Sequence, residues 1–279
     1  MFKDITIGQY FPGNSPIHRI NPAVKLILTI AYITILFFIT NPIAYLIFGV
    51  YTITLIMLSG VPFRYILKGL KPLVWIILLT SVLNIFMTNG TTIAEIPLYR
   101  FSLKITKEGI VTAVQVTLRL MFLMTGSSIL TLTTEPLQLT DGIERLLKPL
   151  KKIGVPSHEI AMMMSIALRF IPTFAEEAEK IMNAQKARGA DFETGNIIER
   201  AKAMIPVLVP LFVSAFRRAD DLATAMEARC YNGGENRTRM KESKIGKYDV
   251  KACVVFVICL VILEAAEICR FVNDVLQNF

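Results

Sequence analysis

With 279 residues, 53% of them hydrophobic, and a mean hydropathy of +0.53, the chain reads as a multi-spanning membrane protein and not as a soluble globular one. Its net charge of +8 comes with no RNP-like, zinc-finger or helix-turn-helix pattern, which sets nucleic acid aside as a partner. Basic residues beside apolar segments instead mark the cytoplasmic side of a membrane protein. The four cysteines, Cys230, Cys253, Cys259 and Cys269, show no C-x-x-C spacing, so neither a disulfide framework nor a metal site is expected. His18 and His158 have no ligand-like spacing and read as surface or capping residues.

The amino-terminal stretch MFKDITIGQYFPGNSPIHRINP lacks the early apolar core of a signal peptide, and the mature chain is expected to start near Met1. Between Lys25 and Arg64 lie 38 uncharged residues, which as one helix would run about 57 Å against a hydrocarbon core of about 30 Å. Two spans are therefore predicted, 23–40 and 43–60, broken at Asn41-Pro42 because proline removes a donor and disfavours helix in the residue before it. Arg64, Lys68 and Lys71 precede a third span, 72–88. The polar segment 89–108, with short alternating runs, reads as an external loop with a hairpin. A fourth span, 109–133, is interrupted only by Arg119, which at that depth should face protein or a wet crevice.

From Glu135 to Lys251 the apolar runs shorten and charge rises, as expected of amphipathic helices at a membrane interface. Three helices are predicted: 136–152, 157–188 and 196–229, the last two about 50 Å long apart from bends at Pro172, Pro206 and Pro210. A last apolar run, Ala252 to Leu263, spans only if Glu264 and Glu267 reach the far interface. The resulting fold is all-α and polytopic, with about five transmembrane helices plus cytoplasmic amphipathic helices. It divides into a four-span region 1–134, the cytoplasmic or interfacial helices 135–249, and a final span with its tail 250–279. The flanking cations place the amino terminus in the cytoplasm and the carboxyl terminus outside.

The two long helices are quasi-repeats. Aligning Arg188 with Arg229, 41 positions apart, also pairs Ala178 with Ala219, Ala184 with Ala225 and Ala187 with Ala228. A carboxyl-terminal arginine suits the negative end of a helix dipole, and Gly189 suits the left-handed closing residue. Cys230 has no such liking, so capping alone does not account for the second copy. Alanines three apart let another surface approach each tip and leave the arginine as a bidentate donor to a carboxylate.

The paired ARG and ARC tips, RFIPTFAEEAEKIMNAQKARGADF, and GQYFPGNSPIHRINP near the start make the chain resemble the transmembrane T component of energy-coupling factor (ECF) transporters. The resemblance covers nearly the whole chain. It departs at Cys230, where the second motif usually has glycine, and at INPAVKL, where Asn21 and Ala23 replace the aspartate and arginine of an LDPRxKL pattern. The resemblance implies a non-catalytic subunit in a prokaryotic plasma membrane that links ATP hydrolysis by two ABC ATPase subunits to reorientation of a substrate-binding S component. Vitamin or micronutrient uptake is the implied outcome. It also implies no directly bound cofactor, with ATP-Mg held by the partner ATPases. The ATPase-coupling residues would be Ala187, Arg188, Gly189, Ala228, Arg229 and Cys230. Met162, Met163, Phe170, Met204 and Phe212 are candidates for the S-component platform, where flexible methionines suit interchangeable partners.

Two other classes are weaker fits. A conventional ABC importer permease would explain AEEAEKIMNAQKARG as one coupling loop, whereas two arginine tips are present. A membrane enzyme would rely on Asp220-Asp221, but adjacent helix positions point about 100° apart and make a poor clamp. No G-x-x-x-x-G-K-[ST] occurs, so the chain carries no P-loop of its own.

Overall fold

A computed structural model describes residues 10–98, 101–233 and 246–277, which form two compact units: 10–142 together with 246–277, and 143–233. The segment 234–245 and the tail beyond 277 lie outside the described residues, as does the amino-terminal stretch before 10.

The first unit is a helical bundle. Helix α1 is Pro22–Phe38, α2 Pro42–Ser59, α3 Phe63–Leu70 and α4 Val74–Met87, the last two joined by a 3-10 turn, Lys71–Leu73. The hairpin expected in the loop forms from β1, Thr92–Leu98, and β2, Phe101–Thr106, antiparallel with Leu98 opposite Phe101 and Thr92 opposite Thr106. Helix α5 follows at Lys107–Thr133, and α9, Lys247–Gln277, completes the unit. Both Asn-Pro sequences act as helix starts: Asn21 Oδ1 accepts from Ala23 N and Asn41 Oδ1 from Ile43 N, each with proline at the first helical position. That is why the first uncharged run breaks where it does, although α1 ends at Phe38 and leaves Ile39 and Thr40 outside it.

Among the described residues, Pro42–Ser59, Phe63–Met87 and Lys107–Thr133 are long and apolar enough to cross a membrane, and Pro22–Phe38 is a shorter apolar helix. The 17 residues of α1 measure about 26 Å, at the short end of what spans. Helix α9 runs parallel to α1, pinned at both ends. Asp249 Oδ1 accepts from Asn21 N at 2.6 Å, and Glu267 Oε1 accepts from Thr40 N at 3.2 Å and Asn41 N at 3.1 Å. The intervals Asn21–Thr40 and Asp249–Glu267 are closely matched, at 19 and 18 residues. Glu267 therefore sits at the level where α1 ends.

Packing inside the bundle centres on Tyr32, Leu36, Tyr45, Phe48, Phe256 and Leu263 from α1, α2 and α9. In lipid such contacts gain from close packing and polar bonds more than from removal of water. Tyr32 supplies both. Its ring lies 4.6 Å from that of Phe48, and its hydroxyl bonds to Thr52 Oγ1 at 2.9 Å and Phe122 O at 3.0 Å. The ring packs against Gly126 so closely that any side chain there would overlap it.

Helix α6, Pro136–Leu147, runs across the boundary between the units, and in the second a 3-10 segment, Lys148–Ile153, follows it. The long helices α7, Ser157–Ala187, and α8, Ile197–Ala228, run about 46 and 48 Å. They continue through Pro172, Pro206 and Pro210, and α8 starts with a capping box between Asn196 and Glu199. Few of their side chains are buried: Ser157 and Ala161 in α7, Val207 in α8.

Candidate functional site

Both long helices close with the same backbone motif. At the end of α7, Ala190 N donates to Gln185 O and Gly189 N to Lys186 O, both at 3.0 Å. At the end of α8, Tyr231 N donates to Met226 O at 3.0 Å and Cys230 N to Glu227 O at 2.8 Å. These are two Schellman caps, which need a left-handed residue just past the helix. Gly189 has φ +88 and Cys230 φ +58, the one non-glycine residue at positive φ among those described. The expectation that Cys230 is unsuited to such a cap is thus corrected: cysteine adopts the glycine conformation there, at a cost of about 1–2 kcal/mol for a residue with a Cβ. The repeat extends to the backbone.

Arg188 and Arg229 are the C-cap residues, one past the last helical residue of each tip, and are exposed, as are Ala184 and Ala187, and Ala225 and Ala228. Among the described residues neither guanidinium has a hydrogen-bond or ionic partner. After the first tip the chain is held in a tight turn. Asp191 Oδ1 accepts from Glu193 N at 2.9 Å and Thr194 N at 3.1 Å, and Thr194 Oγ1 also donates to the carboxylate. These bonds, the hydroxyl first, hold the Asp191 carboxyl down at about 2.

The two helices meet where Arg218 Nη2 donates to Glu177 Oε2 at 2.9 Å, with the Arg218 guanidinium carbon 5.6 Å from the centre of the Phe174 ring. Glu177 and Arg218 are 41 positions apart, as are the arginine tips, so the joint is made by repeat-equivalent residues. Each stands 11 residues before its tip, and the two arms beyond the joint are the same length, about 16 Å. This joint was not foreseen from the sequence. The 41-residue offset was the available signal, since it pairs an acid with a base.

The five apolar platform candidates separate by exposure. Met163 is 58% and Phe212 62% exposed, and Phe212 lies beside exposed Val209, Val213 and Phe216 of α8. Met162, Phe170 and Met204 are half-buried, Phe170 with its ring 5.9 Å from Phe174. His18 and His158 are not plain surface residues: His18 Nδ1 bonds to Ser15 Oγ at 2.7 Å and Nε2 to Phe11 O at 2.9 Å, and His158 Nδ1 pairs with Glu144 at 3.2 Å. Asp220 and Asp221 are exposed, and among the described residues no three acids, histidines or cysteines are gathered as a metal would need.

Inside the bundle Arg119 Nη2 donates to Ile39 O at 3.1 Å, with its guanidinium carbon 5.9 Å from the Phe37 ring centre. It thus serves a carbonyl left over at the end of α1, a place where the helix dipole also favours a cation. Lys25, counted in the sequence only as a flanking charge, is 5% exposed and does the reciprocal thing. Its Nζ donates to Thr133 O at 2.8 Å and Thr134 Oγ1 at 3.0 Å, at the end of α5. Antiparallel α1 and α5 each close the other's carboxyl end with a cation, both contacts fitting one register.

Fold and site together define a helical membrane transport subunit: a multi-spanning bundle, and a unit of two matched arginine-tipped helices. The family described as cobalt transport protein matches residues 13–240. The chain is similar to the energy-coupling factor transporter transmembrane protein EcfT of Clostridium kluyveri, at 56% identity over 267 residues, 95% of this chain and 98% of that one. It is 55% identical to the protein of that name from Thermosediminibacter oceani over 252 residues, 90% and 94% of the two chains. With that of Bacillus subtilis it shares 46% over 243 residues, 87% and 90%. The chain belongs to the family of energy-coupling factor transporter transmembrane proteins, the T components.

Proposed function

We propose that this T component sits in a prokaryotic plasma membrane, amino terminus inside, and transmits ATP-driven movement from two separate ABC ATPase subunits to a substrate-binding S component. The observation that carries this reading is the pair of arginines, unpartnered among the described residues, on equal arms about a joint of repeat-equivalent residues. Two like ATPase surfaces would take two like tips, each arginine meeting a carboxylate in a groove, with the exposed alanines allowing close approach. ATP and Mg belong to the partners; this subunit is not the catalyst. The exposed apolar face of α8 around Phe212, with Met163 of α7, supports docking of the S component, which would choose the substrate.

Losing one partner of a desolvated ion pair costs about 2–5 kcal/mol, against at most about 1 for an exposed pair. Arg188→Glu and Arg229→Glu are therefore expected to abolish uptake, and the alanine variants to lower it less, because reversal adds repulsion to the lost contact. Uptake of labelled substrate by cells carrying each variant, with membrane insertion checked by blot, tests this. Normal uptake in the Glu variants would leave the tips as helix caps only.

A further inference from the structure

A cavity of about 360 Å³ opens within the membrane bundle, between α1, α2, α5 and α9, at the end where α1 and α9 begin and α2 and α5 finish. Each helix contributes residues at helical spacing, among them Leu28 and Tyr32, Leu55 and Leu58, and Ile129 and Leu130. The shaft they line is largely apolar, with Lys25, Thr29, Tyr51 and Thr133 the polar side chains along its wall, and about 10 Å deep, the rise of the seven residues from Tyr248 to Val255 along α9. Its floor is the Tyr32 ring packed on Gly126, with the tyrosine hydroxyl already engaged by Thr52 and Phe122.

The mouth has a different chemistry. Tyr248 and Lys251 of α9 stand there, and Arg19 lies beside Tyr248, its Nη1 3.4 Å from the phenol oxygen and its guanidinium carbon 5.8 Å from the ring centre. Lys251 is exposed and has no acidic partner among the described residues. The acid of this region, Asp249, is buried, with its two oxygens taken by Asn21 N and Gly246 N at 2.6 Å each. Lys25, deeper in the wall, is engaged by Thr133 and Thr134. Among the described residues, two cations with no anion to meet therefore cap a shaft that offers a polar solute few groups to bond.

We propose that this cavity holds one acyl chain of an anionic phospholipid, with the lipid phosphate at Lys251 and Arg19. Hydrocarbon chains surround a spanning bundle, and a soluble ligand seated in the shaft would lose its hydrogen bonds without replacement. Net negative charge is selected at the mouth because a zwitterionic headgroup carries its own cation, whereas phosphatidylglycerol leaves its phosphate for the protein. The inference rests on the bundle and not on the reading of the arginine tips.

The test uses the full transporter complex in phosphatidylcholine vesicles doped with phosphatidylglycerol that bears a photoactivatable group on one acyl chain. Labelled peptides are then mapped. Label is expected on the stretches holding Leu28, Leu55 and Leu130, displaced by unlabelled phosphatidylglycerol and not by phosphatidylcholine or inorganic phosphate. Leu55→Trp, which fills the shaft, should remove it. Lys251→Ala, at an exposed position with no packing role, should lower the preference for phosphatidylglycerol over phosphatidylcholine about fivefold, the weight of one lysine at a membrane surface. Label spread evenly over outward-facing Ile27 and Ile53 would overturn the proposal. So would equal displacement by phosphatidylcholine, displacement by inorganic phosphate alone, label unmoved by either variant, or label seen only in the isolated subunit, which would mean that a partner subunit fills the cavity.

Discussion

Reversing both charges at the joint of the long helices, Glu177→Arg with Arg218→Glu, should restore what either reversal alone destroys. The contact is a 2.9 Å hydrogen-bonded ion pair in which the Glu177 side chain is 25% and the Arg218 side chain 37% exposed, neither buried nor free in water. An exposed pair is worth at most about 1 kcal/mol and a charge-assisted hydrogen bond about 1.5–3, so partial screening puts this pair near 1 kcal/mol. Arg218 also lies over the Phe174 ring, a contact worth about 0.5–1 kcal/mol at a partly exposed site, which Glu177→Gln leaves intact and Arg218→Met removes. Glu177→Gln should therefore cost about 1 kcal/mol, Arg218→Met nearer 2, and a double-mutant cycle should give a coupling close to 1 that shrinks with added salt. The assay is denaturant unfolding of the assembled complex in mild detergent, with uptake measured in parallel. Each single reversal should depress uptake and the double reversal should recover most of it, the loss of the Phe174 contact aside. Full uptake in the single reversals, or no recovery in the double, would refute the claim that equal arms turn about this joint.

Cys230→Gly should stabilise the second tip by about 0.5–1 kcal/mol, since relief of the left-handed strain exceeds the entropy a glycine loses on folding; thermal unfolding of paired variants reads the sign, and a destabilised glycine variant would contradict it. Lys25→Met strands Thr133 O and the Thr134 hydroxyl in the bundle, and after allowing for relief of the buried ammonium should cost about 2–3 kcal/mol; an unchanged midpoint in detergent-denaturant titration would show that the cation does not close α5. On a cysteine-free background, a membrane-impermeant thiol reagent added outside should modify Asn89→Cys and spare Asn232→Cys; the opposite pattern would invert the proposed orientation.

Much of the bundle was legible because its breaks are local chemistry: Asn41-Pro42 separates two helices, and a long uncharged run cannot cross a bilayer once. The two long helices were readable to within a residue or so, because Asn196 with Glu199 opens one and the A-x-x-A-R tips close both. What stayed hidden depends on partners distant in sequence. Nothing around Lys25 tells that its ammonium is buried at the end of a helix more than a hundred residues away, and nothing around Arg119 names Ile39 O as its acceptor. Cys230 was misjudged for a related reason: propensity disfavours a left-handed cysteine, yet the hydrogen bonds of the cap and the helix behind it outweigh a small backbone strain.

The central claim is that one tip serves one ATPase. Native mass spectrometry of the complex purified through the membrane subunit measures it directly, by counting ATPase subunits on the unaltered chain, on Arg188→Glu, on Arg229→Glu and on the double variant. Two ATPases on the unaltered chain, a weakened pair on each single variant and none on the double, with the membrane subunit still inserted, is the predicted series. An unreduced pair on the double variant would contradict the claim.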